Sequence, residues 1–248
     1  GDESDLQVWD VESGRQLHRL KGHGGAVWAL AVTPDGRHAI SGGGFIWDGG
    51  WKPGPDRDLH LWDLETGREL PRTLSGHRGG IWTIAVSPDG RHAASASIDG
   101  TARVWDIDTG REVQCFEEHH ADVRSVAFLP DGERLLSAGM DLHLRLWDLA
   151  TGREIRRFDG LRGDVVGVAI SPDGRRALSG GMVDHDLRLW DLASGRELYH
   201  YEVPHVCLTR GTFTRDGRRT IWAAFDGALR VWDLPEDFAA GPGTGELR

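Results

Sequence analysis

Short stretches in which apolar and polar side chains alternate, separated by turns rich in Gly, Pro and Asp, run along most of the chain. Residues 80–87, GIWTIAVS, alternate and are rich in β-branched and aromatic types, which predicts a strand. SPDG at 87–90 is a turn, in which Pro fixes φ and Gly accepts positive φ. RHAASAS (91–97) is a second strand built from small residues, and Asp99-Gly100 carries a hairpin signal. TARVWD (101–106) is a third strand and REVQCFE (111–117) a fourth. Helical periodicity is absent.

The same order of landmarks recurs. Trp-Asp stands at 9–10, 62–63, 105–106, 147–148, 190–191 and 232–233, in steps of 53, 43, 42, 43 and 42 residues. SPDG returns as TPDG at 33–36, LPDG at 129–132, SPDG at 171–174 and TRDG at 214–217. A period of this size means one supersecondary unit stacked many times, with neighbours supplying each other's core. Four short antiparallel strands per unit make a propeller blade.

On these landmarks the chain resembles the WD40 family over roughly residues 6–234. The resemblance implies an all-β fold, a WD40 β-propeller of four-stranded antiparallel blades. It also implies a hydrogen-bonded tetrad per blade: His before the inner strand, Ser on the second, Asp in the next turn, Trp on the third. Two sets are complete, His77, Ser95, Asp99, Trp105 and His119, Ser137, Asp141, Trp147. The first full unit has His23, Ser41 and Trp62, with Asp56 as fourth member beyond an insertion. In the fourth, Leu161 replaces His and leaves Ser179, Asp184 and Trp190. In the fifth, Pro204 stands at the His position and Trp222 at the Ser position, leaving Asp226 and Trp232. Those two blades are expected to rely on apolar packing.

The units are read as a partial blade over 1–24, five near-complete blades over 25–75, 76–117, 118–159, 160–202 and 203–234, and a flexible tail over 235–248. RQLHRL (residues 15–20) could complete the last blade. A chain that is part of a longer protein, or a strand-exchanged homodimer joined at open edges, are the alternatives.

The formal charge of −10 argues against nucleic acid or an anionic membrane as partner. Cys115 and Cys207 have no paired spacing and read as free thiols, which favours a reducing compartment, the cytoplasm. Lys occurs only at 21 and 52 and Asn not at all. That bias reads as GC-rich coding and a bacterial source.

No HExxH, GxSxG, P-loop or EF-hand motif is present, so neither catalysis nor a metal or cofactor is expected. His119-His120 is no ligand pair, because adjacent strand residues point to opposite faces. The resemblance implies that partners dock on the face carrying the loops before the first strand and between the second and third. Carried onto this chain, that face presents Trp28, Trp82, Asp122, Arg124, Met140 and Phe225, types enriched in binding hot spots apart from the Asp. An insertion between Ser41 and Trp62 adds Phe45, Trp47 and Trp51 as a lid or a contact. The expected function is a non-enzymatic scaffold that binds a protein or peptide, possibly within a larger regulatory protein. The alternatives are an enzyme using Asp122, Asp164 and Arg124, and an aromatic cage of Trp28, Trp82 and Phe225 for a methylated cation.

Overall fold

The computed structural model describes residues 5–47, 51–181, 185–203, 206–234 and 243–244. It divides into two compact units, residues 1–123 and 124–248.

In the first unit, β1 (Leu6–Trp9) and β2 (Gln16–Leu20) form a two-stranded antiparallel sheet. The next sheet runs in the order β3 (Ala26–Val32), β4 (His38–Trp47), β6 (Leu59–Asp63), β7 (Arg68–Leu74), with β5 (Trp51–Pro53) paired to β4 alone. The insertion thus begins as a β4–β5 ribbon in which Phe45 faces Pro53 and Trp47 faces Trp51. A four-stranded sheet of β8 (Ile81–Val86), β9 (His92–Ser97), β10 (Ala102–Asp106) and β11 (Glu112–Phe116) follows.

The second unit repeats the plan. β12 (Val123–Phe128), which starts on the last residue of the first unit, leads β13 (Arg134–Gly139), β14 (Leu144–Asp148) and β15 (Glu154–Phe158). Then come β16 (Val165–Ile170), β17 (Arg176–Gly181), β18 (Asp186–Asp191) and β19 (Glu197–Glu202). The last sheet has three strands, β20 (Leu208–Phe213), β21 (Arg219–Ala224) and β22 (Leu229–Asp233). Of the C-terminal tail, only β23 (Gly243–Thr244) is described; it pairs in parallel with Tyr199 and His200 of β19. The remainder of the expected tail, with Asp184 and Pro204, lies outside the described residues.

The Trp-Asp pair has a separate task for each member. Trp62, Trp105, Trp147 and Trp190 are buried. Asp63, Asp106 and Asp148 each accept from the backbone N–H and the hydroxyl of the Thr three residues on, and Asp191 accepts from Ser194. Such Asx and ST geometry competes with continued strand and forces the turn. A register shift falls immediately before the Trp where β1, β10, β14 and β18 meet the following strand. The cores join successive repeats within a unit. Leu20 clusters with Trp62, Leu74 with Trp105, and Phe158 with Trp190. Trp9 belongs to the two-stranded sheet and is 52% exposed.

Candidate functional site

Four tryptophan indoles define the polar interior of the blades. Trp62, Trp105, Trp147 and Trp190 each donate Nε1–H to the Oγ of Ser41, Ser95, Ser137 and Ser179, at 2.7, 2.9, 2.7 and 2.9 Å. In the first unit the chain of bonds continues. His77 places Nε2 2.7 Å from Ser95 Oγ and Nδ1 2.9 Å from Asp99 Oδ2, and the Arg78 backbone N–H donates to the same carboxylate at 2.8 Å. His23 repeats this with Ser41 at 2.6 Å and Asp56 at 2.7 Å, and Gly24 N–H donates to Asp56 at 2.9 Å. Burial pushes both carboxyls up. The bonds from His77 to Asp99, and from His23 and His60 to Asp56, outweigh it and hold them well below the usual carboxylate range.

In the second unit, Asp141 meets Arg145 Nη2 at 3.1 Å. His119, at the end of the first unit, is buried. Leu161, at the His position of the fourth repeat, packs against an apolar cluster containing Leu144, Phe158 and Trp190. In that repeat Asp186 carries an ion pair with Arg188 at 2.8 Å and faces His200 Nε2 at 2.9 Å. In the last repeat Trp232 is buried, and Asp226 lies at the surface, bonded to Arg230 and to the Ala228 N–H.

The predicted contact residues fall into two groups. In the first unit Trp28 on β3, Phe45 on β4 and Trp82 on β8 form one aromatic cluster. Trp28 meets Phe45 and Trp82 edge-on, each at 5.9 Å between centroids, and Phe45 lies tilted on Trp82 at 4.2 Å. These are favourable arrangements for ring quadrupoles. Phe45 is buried while Trp28 is 37% exposed, so Phe45 is the platform and Trp28 the lip. Gly80 makes the platform possible, since a Cβ there would stand 2.7 Å from the Phe45 ring. Trp47 and Trp51 continue the ribbon directly from Phe45, and their side chains lie outside the described residues. Asp122 is half-buried near the end of this unit.

In the second unit Arg124 Nη2 reaches the Met140 sulfur at 3.1 Å, and Met140 is 42% exposed. Phe225 is 69% exposed at the turn between β21 and β22. Asp164 is half-buried. Cys115 and Cys207 are half-buried thiols outside any disulfide, and burial pushes the Cys115 thiol up to about 11.

One relation was not drawn from the sequence, although its spacing is visible there. The second residue of β10, β14 and the third of β18 is Arg, and each reaches a Glu nine residues on. The contacts are Arg103–Glu112 at 2.5 Å, Arg145–Glu154 at 2.5 Å and Arg188–Glu197 at 2.7 Å. In the first complete repeat His60 takes this place, with Nδ1 2.6 Å from Glu69 Oε1 and Nε2 3.1 Å from Asp56 Oδ1.

No helix of the described residues is long and apolar enough to cross a membrane. The family model "WD domain, G-beta repeat" matches residues 14–63, 68–106, 110–148 and 152–191. It stops short of the β20–β22 sheet, where Trp222 replaces the tetrad Ser. Human Striatin-4 is 35% identical over 97 residues, which are 39% of this chain and 12% of that protein. Protein groucho of Drosophila melanogaster is 32% identical over 116 residues, 46% of this chain and 14% of that protein. The guanine nucleotide-binding protein subunit beta of Oryza sativa subsp. japonica is 28% identical over 114 residues, 44% and 27% of the two lengths. The match therefore spans between 12% and 27% of the length of these relatives. With the family model covering more than half of its residues and four of its sheets carrying the repeated Trp-to-Ser bond, this chain belongs to the WD40 repeat family.

Proposed function

We propose that the chain is a non-enzymatic interaction module that binds a protein or peptide, and that the Trp28–Phe45–Trp82 cluster is the contact surface of its first unit. The observation that carries this reading is the partial exposure of Trp28 on a platform cleared by Gly80. A rigid aromatic lip over buried rings is the composition of a binding hot spot, and ordering it in advance lowers the entropic cost of association. Trp47 and Trp51, on the adjoining ribbon, and Asp122 are further contacts in the same reading. So, in the second unit, are Arg124 and the exposed Met140 and Phe225. WD40 proteins are mostly scaffolds without catalytic activity, which fits membership of the family.

The cage reading fits less well. Phe45 lies 4.2 Å from Trp82 and so covers one of the two Trp82 faces open to a cation. The enzyme reading would require Asp122, Asp164 and Arg124 to converge, and Arg124 Nη2 is turned to the Met140 sulfur. A cytoplasmic bacterial source, a place in a larger regulatory protein and a strand-exchanged homodimer remain parts of the proposal. The source rests on amino-acid bias alone, and the relatives named above come from a mammal, an insect and a plant.

A displayed library of random peptides, selected on the purified chain, tests the site. Peptides enriched on it should lose at least about tenfold in affinity on Trp28→Ala, roughly one hot-spot side chain. They should bind Trp9→Ala, an exposed Trp elsewhere in the same unit, unchanged. Equal binding by both variants would remove the aromatic lip from the account.

A further inference from the structure

His60 occupies the place that Arg fills in the next three repeats, and it makes the same bond to a Glu nine residues on. An Arg carries its charge at every physiological pH. An imidazole does not, and this one has both ring nitrogens on carboxylate oxygens, Nδ1 on Glu69 at 2.6 Å and Nε2 on Asp56 at 3.1 Å. A neutral imidazole has one N–H and one lone pair. In either neutral tautomer a lone pair would therefore face a carboxylate.

The neighbouring protons are already assigned by geometry. Trp62 donates to Ser41 Oγ, the Ser41 hydroxyl has His23 Nε2 as its acceptor at 2.6 Å, and His23 Nδ1–H is left to donate to Asp56 Oδ2 at 2.7 Å. The Gly24 N–H donates to that same oxygen. Asp56 is thus ionised, and both His60 ring nitrogens have an acceptor once His60 carries two protons. Asp56, Glu69 and His23 are the charged or titratable groups against His60, from the β5–β6 loop, from β7 and from the loop before β3.

Asp56 also marks the exit of the β4–β5 ribbon. Its carbonyl approaches Gly44 so closely that a Cβ there would stand 1.8 Å away, and Gly44, with φ of +82°, directly precedes Phe45. Gly54 N–H returns to Gly44 O at 2.6 Å, and Arg57 Nε donates to Gly54 O at 3.0 Å.

We propose that His60 is a proton-operated clasp: as imidazolium it ties Asp56 to Glu69 and holds the base of the β4–β5 ribbon, and its deprotonation frees that base. The two carboxylates, Asp56 first, raise the His60 pKa above its ordinary value against the opposing effect of burial, and Glu69 adds to the rise. With the folded value raised, the clasp contributes fully below about pH 6.5, the free imidazole value, and is lost as pH rises through the folded value. His23, Asp56 and His60 are also close enough to suggest a divalent ion. An ion there would need His23 Nδ1 and His60 Nε2 both stripped of protons, which breaks the His23–Asp56 bond; a proton fits with nothing rearranged. The proposal concerns the ribbon's attachment and stands whether or not the aromatic cluster binds a partner.

Histidine-selective NMR on the whole chain, with the His60 signal identified by its loss in His60→Arg, should show both His60 nitrogens protonated at pH 6.5 and titration above the free value. Amide exchange gives the structural readout, after correction for the intrinsic rate. Protection of the Gly24 and Gly54 amides should fall about tenfold for each pH unit between the free and the folded value, and level off above the folded value. The Arg78 amide makes the same bond to Asp99 beside Arg103 and should not change. His60→Arg should abolish the pH dependence at Gly24 and Gly54. A His60 that titrates at or below the free value, or equal losses at Gly24 and Arg78, would overturn the clasp. So would zinc chloride at pH 8 restoring protection in wild type, because the site would then take a metal ion. Should His60→Arg fail to fold, the wild-type titration and the Arg78 comparison still decide.

Discussion

The β8–β11 sheet and the β20–β22 sheet solve the same packing problem in opposite ways. In the former, Ile84 pairs across the ladder with Ser95, whose hydroxyl takes the Trp105 N–H. In the latter, Gly211 pairs with Trp222. The large side chain has moved from the inner strand to the second strand, and the small one has moved the other way. Trp222 is fully buried, and its indole N–H finds Thr220 Oγ1 at 2.7 Å instead of a tetrad Ser. A Cβ at Gly211 would stand 2.1 Å from that indole, and one at Gly180 2.5 Å. One blade is held by a hydrogen-bonded chain of side chains and the other by volume fitted into glycine-lined space. Both satisfy the requirement that buried polar groups be paired.

The largest effect is expected from imposing the first solution on the second. Trp222→Ser empties the space that the glycines clear and should cost about 3–5 kcal/mol, the range for deleting a buried Trp. Gly211→Ile in the same background should recover part of the loss, because it rebuilds the Ile84–Ser95 pair. Denaturant midpoints of the single and double variants give the coupling. A double variant no better than Trp222→Ser alone would show that the exchange across the ladder is not what compensates.

Next in size is the carboxylate that anchors the polar solution. Asp99 accepts from His77, from Thr101 through its hydroxyl and its N–H, and from the Arg78 N–H. Asp99→Ala strands these donors and should cost about 1–3 kcal/mol. Because its folded pKa is depressed, its contribution is present above about pH 3.9 and drains away as pH falls below that value. The acid limb of an unfolding titration should flatten in Asp99→Asn. Asp226, at the corresponding turn of the last sheet, is exposed and bonds to Arg230 and a local N–H. Its removal should leave the midpoint unchanged. Equal losses at Asp99 and Asp226 would erase the distinction between the two blades.

How much of this the sequence discloses follows from the same comparison. Period-two alternation and the Trp-Asp spacing mark the strands, because a four-stranded blade repeats its chemistry at fixed intervals. His77, Ser95, Asp99 and Trp105 are placed by the resemblance to the WD40 family that these landmarks carry. Trp222 at a Ser position is also visible, but its compensation is not. Gly211 and Gly180 look like ordinary strand glycines until the register puts them against the indole. Phe45 reads as one of several aromatics in an insertion, and only the β3–β4 and β8 contacts make it a platform. The insertion itself starts as a ribbon because β4 continues past the ordinary strand end and pairs with β5. His60 escapes notice because the Arg-to-Glu spacing of nine carries no meaning until the bonds are seen.

The smallest effect lies in the turn between second and third strands. The β9–β10 turn places Gly100 at φ of +81°, while the β13–β14 turn places Leu142 at +64°. A side chain in the left-handed region meets the following carbonyl, at a cost of about 1–2 kcal/mol. Leu142 is 39% exposed, so its removal forfeits little burial. Leu142→Gly relieves the strain but enlarges the entropy of the unfolded chain by about 0.4–1 kcal/mol. The net gain should be about 0.5 kcal/mol, with the converse Gly100→Leu destabilising by more, since it adds strain beside the His119 and Ala121 carbonyls 3.5 Å from a Cβ there. Thermal melts of the two variants decide it. A stability loss on Leu142→Gly would mean that the leucine side chain makes a contact worth more than its backbone strain, and the two turns would then differ in packing rather than in φ.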